Sequence, residues 1–215
     1  TDFDNDNDID LAVAGEWMAP TFFQNDGGKF SNITPNTTLK METGWYTSVA
    51  GGDFDNDGDV DYIFGNSGIN RKYQSCRMHE DCHEHPLSVY HGDFDKSGTY
   101  DVLMGYFQND KLYPVKSRER VVEQLPGLAE RYPNWDVYGR DGVEDILDES
   151  QRKAAELLTA NNFYSLYVEN KGNGEFTFSK LPIEMQISTV FGMVIRDFNG
   201  AVSYTHLTLP TMMSV

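Results

Sequence analysis

Cysteine and histidine are scarce in this 215-residue chain, with two and five copies, and basic residues number half the acidic ones. Each shortage excludes something. With 17 Lys and Arg against 34 Asp and Glu, the formal net charge of −17 would repel the phosphates of a nucleic-acid partner. No run of 18 apolar residues occurs, so no segment reads as a membrane-spanning helix. The chain also lacks a Gly-x-Ser-x-Gly elbow and a Walker-type phosphate loop, which removes two common routes to catalysis. Hydrophobic residues at 39% and aromatics at 13% are nevertheless sufficient for a packed core, so the acidity does not imply disorder.

What is abundant is aspartate in alternation. Asp53-Phe54-Asp55-Asn56-Asp57-Gly58-Asp59-Val60-Asp61 places five carboxylates at every second position of one short run. Hard oxygens at positions 1, 3, 5 and 9 of a tight loop, with a glycine at 6 and a backbone carbonyl at 7, can surround a calcium ion. Magnesium demands a stricter octahedron and keeps more of its water. The pattern recurs at Asp2, Asp4, Asp6 and Asp10, with Asp8 at the carbonyl position and Asn7 in place of the glycine. A third copy has Asp93, Asp95, Ser97 and Asp101, with Gly98 at the turn and Thr99 at the carbonyl position. A hydroxyl replaces one carboxylate there, so it should bind more weakly. A fourth begins at Asp197-Phe198-Asn199-Gly200 and is then interrupted.

These are not EF-hands. Position 12, where an EF-hand needs a bidentate glutamate, is Val13, Phe64 or Met104, and a β-rich run rather than a helix follows each loop. The copies Gly52-Asp53-Phe54-Asp55-Asn56-Asp57-Gly58-Asp59-Val60-Asp61 and Gly92-Asp93-Phe94-Asp95 resemble FG-GAP/VCBS-type repeats. Those are the calcium-loop repeats of integrin α-subunit propellers and of many bacterial surface proteins. The resemblance extends to Gln24-Asn25-Asp26-Gly27-Gly28-Lys29-Phe30 and Glu169-Asn170-Lys171-Gly172-Asn173-Gly174-Glu175-Phe176, which it implies are hairpin turns between later strands of a blade. It implies an all-β fold, a partial β-propeller of antiparallel blades carrying Asp-rich calcium loops. A closed propeller has four to eight blades of roughly 40–60 residues, so the chain reads as part of a longer protein.

Loop spacing then divides the chain. Asp2, Asp53 and Asp93 lie 51 and 40 residues apart, but Asp197 follows Asp93 by 104. The excess is helical in character: Ser117 can cap a helix over 118–125, and further helical pieces are expected at 143–147 and 150–160. The expected organisation is propeller repeats over 1–113, a helical insertion at 114–160, and a continued repeat over 161–200. Residues 201–215 resemble translated sequencing adapter and are expected to be non-native, so His206 is given no role. Trp45, Thr47 and Val49 share one face of a strand leading into the second loop, where the aromatic ring is expected to pack between blades.

Cys76 and Cys82, five residues apart in a polar stretch, read as a local disulfide; a zinc or copper site with His83 and His85, or free thiols, are the other readings. Glycosidase chemistry needs paired carboxylates, which Glu119, Glu123, Asp145 and Glu149 of the insertion could supply. Helical surfaces carry such acids for solvation, however, so no catalytic residue is assigned. The sequence therefore points to a non-enzymatic, calcium-binding segment of an exported protein at the cell surface, in all expectation bacterial. It would serve as an adhesion or recognition scaffold for a protein or glycan ligand. The alternative is the ligand-presenting part of a multidomain glycan-handling enzyme.

Overall fold

The computed structural model describes residues 1–73, 84–172, 174–196 and 206–208, and it divides into two compact units. The first comprises Thr1–Lys72 with Asn162–Val215; the second is Tyr73–Asn161. Strands β1 (Leu11–Val13), β2 (Glu16–Met18), β3 (Thr21–Asp26), β4 (Lys29–Asn32), β5 (Gly44–Gly52) and β6 (Asp61–Asn66) open the first unit. The second unit holds β7 (Leu87–Gly92), β8 (Asp101–Gln108), β9 (Lys111–Pro114), four short helices and β10 (Glu156–Ala160). The helices are α1 (Arg118–Gln124), α2 (Trp135–Tyr138), α3 (Val143–Ile146) and α4 (Glu149–Ala154). The chain then returns to the first unit with β11 (Leu166–Asn170), β12 (Phe176–Lys180) and β13 (Val194–Arg196), and β14 (His206–Thr208) pairs with β13.

The fold is all-β, of the partial-propeller type. Every pairing between these strands is antiparallel, giving sheets ordered β1-β3-β4 and β12-β11-β6-β5-β2 in the first unit and β10-β7-β8-β9 in the second. Tight turns close the hairpins where the sequence permits a left-handed backbone: Gly27 (φ 58°) and Gly28 (φ 94°) join β3 to β4, and Asn109 (φ 50°) and Asp110 (φ 61°) join β8 to β9.

In the five-stranded sheet, β6 pairs with β11, setting Phe64 opposite Leu166, although about a hundred residues separate them in the chain. The second unit occupies that gap. This differs from the division expected from loop spacing, in which the insertion began at 114. The helices do lie within 114–160, but the compact unit that holds them starts at Tyr73 and takes the third Asp-rich loop with it. The reason is strand pairing: β10 lies against β7, Leu158 opposite Val89, and so closes a sheet around that loop. The expected helix over 150–160 is corrected by the same pairing, since α4 stops at Ala154 and 156–160 is strand. Of the adapter-like tail, 201–205 and 209–215 lie outside the described residues.

Aromatic side chains form the core of the first unit. Phe22 of β3 is fully buried and stacks on Phe176 of β12 at 4.2 Å between centroids, with Phe3, Tyr62 and Phe64 edge-on to it at 5.8, 5.0 and 5.8 Å. These rings join the β1-β3-β4 sheet to the five-stranded sheet. Trp45 packs edge-on to Trp17, on the neighbouring strand of its own sheet, and to Phe163, with the Arg71 guanidinium 4.1 Å from its centroid. In the second unit Leu103 and Leu112 of the sheet cluster with Val121, Val143 and Ile146 of the helices and with Leu147, which follows α3. Asp148 caps α4 reciprocally with Gln151, and the Asn134 carbonyl oxygen caps α2.

Truncating Phe22 to Ala removes the ring that all four neighbours contact, and it is expected to lower stability by about 3–5 kcal/mol. A shift in urea midpoint worth less than 1 kcal/mol would show that the cluster does not fasten the sheets. A second expectation concerns acid. The ammonium of Lys111, 2.8 Å from Asp145, together with the Gly142 N–H holds that carboxyl below the ordinary aspartate value. A depressed folded value means the contribution is present above the unfolded value and is lost as pH falls through the folded one. Unfolding followed from pH 6 to pH 2 should therefore show a destabilisation below about pH 4 that Lys111→Met reduces; an unchanged profile would exclude the pair as its source.

Candidate metal centres

The three described Asp-rich loops share one backbone conformation. Position 6 is left-handed in each, at Asn7 (φ 74°), Gly58 (φ 96°) and Gly98 (φ 84°), as the sequence pattern requires. Position 4 is left-handed too, at Asn5 (φ 61°), Asn56 (φ 64°) and Lys96 (φ 60°). Asparagine at two of these was a readable signal; lysine at the third was not. The double reversal turns successive N–H groups inward onto the carboxylates. The position 1 aspartate accepts from the position 6 N–H in all three loops: Asn7 to Asp2 (3.0 Å), Gly58 to Asp53 (3.2 Å) and Gly98 to Asp93 (3.0 Å). The position 3 aspartate accepts from position 5: Asp6 to Asp4 (3.3 Å), Asp57 to Asp55 (3.2 Å) and Ser97 to Asp95 (3.0 Å).

The position 9 aspartate has a further duty that the ligand pattern did not reveal. Asp10, Asp61 and Asp101 are buried, and each accepts the N–H of the phenylalanine at position 2, from Phe3 (2.9 Å), Phe54 (3.2 Å) and Phe94 (3.0 Å). The loop is thereby drawn closed across its own ends. Phe3 and Phe94 point their rings into the cores of their units, and Phe54 lies edge-on to Tyr167. In the first two loops the second oxygen accepts from an asparagine of a later hairpin: Asn25 N–H to Asp10 (2.8 Å) and Asn170 N–H to Asp61 (2.9 Å). Each asparagine side chain then accepts from the glycine that follows in its turn, Gly28 or Gly172. The Tyr167 hydroxyl also donates to Asp61 (2.8 Å); burial, then that bond, pushes the phenol well above its ordinary value and keeps it a donor. The signal was the Asn-x-x-Gly and Asn-x-Gly hairpin motif, legible as a turn but not as a partner of the loop.

The structure brings together Asp2, Asp4 and Asp10; Asp53, Asp55 and Asp57; and Asp93, Asp95 and Asp101, each trio offering oxygens within 4.8 Å of one another. Asp6 holds the Asp8 N–H (2.7 Å), and the Asp8 and Asp59 carboxylates turn away to Gly27 N–H and the Asn5 amide, both at 2.7 Å. Ser97 shares a hydrogen bond with Thr99 (2.8 Å). Asp61, with three donors on its two oxygens, stands outside the second trio. Asp197, Asn199, Cys76 and Cys82 lie outside the described residues. So does His79-Glu80-Asp81-Cys82-His83, which has the His-Glu-x-x-His spacing that a zinc site would need on a helix. His85 is described, 3.0 Å from Asp110.

One atom tests whether a cation fits. Asp53 Oδ1 is buried and has no hydrogen-bond donor among the described residues, beside the carboxylates of Asp55 and Asp57. An acceptor in that position, among like charges, is what a hard cation satisfies. Loss of solvent, and then the charges of Asp61 and Asp57, raise the Asp55 carboxyl above its ordinary value against the lowering from the Asp57 N–H.

Asp-rich loops closed on a buried aspartate, each running into a strand of an antiparallel sheet, define a propeller-type repeat. The family model described as FG-GAP-like repeat matches residues 2–64, and over that span the chain is similar to an FG-GAP-like repeat. The third loop lies beyond the matched residues yet has the same geometry. No curated protein and no solved structure matches the chain.

Replacing Asp61 with Ala strips partners from two backbone N–H groups and a tyrosine hydroxyl, at about 1–3 kcal/mol for each buried donor left unpaired. The loss should persist in chelator, whereas Asp59→Ala, on an exposed side chain, should change stability by about 0.5 kcal/mol or less. If chelator abolished the Asp61→Ala effect, the residue would be a ligand and not a latch.

Proposed function

We propose that the chain is a calcium-stabilised, non-enzymatic segment of an exported cell-surface protein whose propeller-type sheets act as a recognition scaffold. The donorless, buried Asp53 Oδ1 carries this reading, because no group among the described residues satisfies it and two further carboxylates face the same point. Asp53, Asp55 and Asp57 would hold one ion, Asp2, Asp4 and Asp10 a second, and Asp93, Asp95 and Asp101 a third. A bound divalent cation supplies charge neutralisation: three would bring the net charge from −17 to about −11. The chain's own residues do the rest, fixing the loop through the position 9 aspartate so that the ligands are held before the ion arrives.

The acids that could have formed a glycosidase pair support a scaffold instead. Glu119 faces Arg118 (3.8 Å), Glu123 faces Arg120 (2.9 Å), Asp145 faces Lys111 (2.8 Å) and Glu149 faces Lys153 (2.6 Å). A general acid needs a raised value, and Asp145 is lowered by its ammonium partner.

Calorimetry should show calcium binding at about 10⁻⁴ to 10⁻³ M that magnesium does not reproduce. At 100 times the dissociation constant each ion contributes about 2.7 kcal/mol, so Asp55→Ala with Asp57→Ala should lower the calcium-dependent melting temperature. Equal responses to both ions would sink the assignment. Zinc-dependent cleavage of casein, abolished by Glu80→Gln, would overturn the non-enzymatic reading through the His-Glu-x-x-His segment.

A further inference from the structure

The second unit carries a groove that neither the metal loops nor the core explains. It is a cavity of about 480 Å³, within the range of ligand sites, between the β8–β9 hairpin and helix α2. Trp135, the first residue of α2, is 55% exposed, yet it does not hang free: its ring meets buried Tyr138 edge-on at 6.1 Å, and the Tyr138 hydroxyl donates to the Lys116 carbonyl (2.7 Å). The Asn134 side chain accepts the Val137 N–H (3.1 Å) and fixes the turn on which the indole sits. A planar aromatic surface is thus held rigid in solvent at the rim of a cavity, which costs hydrophobic free energy unless a ligand covers it.

The polar groups of the groove sort by charge. Its two charged side chains, one of each sign, are both engaged within the protein: Lys116 with the Gln124 amide oxygen, and Asp141 with the Tyr132 hydroxyl and Arg131. The side-chain polar groups of Gln108, Asn109, Tyr106, Tyr113 and Ser117 make no hydrogen bond among the described residues, although all five line the cavity. What remains for a ligand is neutral and two-faced, because amides and hydroxyls both donate and accept. An anionic ligand would meet the Asp141 carboxylate as well as the Lys116 ammonium, so the groove carries no net charge to attract it. A polyproline segment offers carbonyl acceptors and no donors at proline, so it would leave the amide oxygens unanswered. A pyranose ring answers both features, with a face of C–H bonds to lie on the indole and a rim of hydroxyls that donate and accept.

We propose that this groove binds a neutral glycan, one sugar ring stacked on Trp135 and its hydroxyls bonded to Gln108, Asn109 and the groove hydroxyls. The proposal rests on the recognition-scaffold reading and names the ligand class of that scaffold. It is tested on the full chain in calcium, by affinity electrophoresis and calorimetry with neutral hexasaccharides of β-1,4-linked glucose, mannose and galactose, and with a proline decapeptide. At least one hexasaccharide should bind at millimolar concentration. Trp135→Ala should weaken it about tenfold, Trp135→Phe should retain part of the affinity, and Gln108→Ala should weaken it with no change in melting temperature. No binding by any hexasaccharide, equal binding by Trp135→Ala, or Trp135-dependent binding of the decapeptide alone would each overturn it. Calcium titration and glycan binding, measured side by side, separate the two readings. Calcium response without glycan binding in the unsubstituted protein defeats only this inference, whereas glycan binding with no calcium response in the unsubstituted protein defeats only the calcium assignment.

Discussion

A buried carboxylate that accepts two backbone N–H groups from opposite directions organises each of the first two repeats. Asp10 holds Phe3 and Asn25; Asp61 holds Phe54 and Asn170. One bond closes the loop on itself and the other ties it to a hairpin reached much later in the chain. A buried charge is tolerable only when its lone pairs are filled, and here the filling donors are main-chain groups whose positions the sheets determine. The loop's shape, the depth of its phenylalanine and the register of the following strand all depend on that arrangement.

Much of this was legible beforehand, because alternation of aspartate and a left-handed residue at position 6 leaves few conformations open. The β-rich runs after each loop become strands, and the hairpins close at Asn25 and Asn170 as their glycines suggest. What the sequence concealed was long-range pairing. Nothing in residues 61–66 says that their neighbour lies beyond 165, and nothing at Glu156–Ala160 distinguishes a helix from the strand that β7 makes of it, since Ala and Leu serve both. Lys96 in a left-handed conformation was equally hidden, being imposed by the loop closing around it.

The site divides similarly. Ligand-type aspartates could be listed from spacing alone, but spacing does not tell which of them the fold uses for itself. Asp61 matches position 9 of the pattern and is saturated by Phe54, Asn170 and Tyr167. Asp8 and Asp59 match the alternation and face away to neighbouring segments. The groove at Trp135 was invisible because its components come from a hairpin turn and a four-residue helix that no periodicity connects.

The interruption of the five-stranded sheet between β6 and β11 bears on the order in which the molecule can be made. During synthesis β6 emerges with β5 beside it and its other edge open, and its partner is not available until about a hundred residues later. Closing such a gap as free chain would cost about 2 kcal/mol more than closing a ten-residue span and would leave an unpaired edge exposed meanwhile. The intervening residues form a compact unit with its own sheet and core. If that unit folds first, the N-terminal half-sheet waits for a folded unit rather than for a random coil. Destabilising the second unit would then slow the first, so mutations at Leu103 or Val143 would be read out as misassembly of the five-stranded sheet as well.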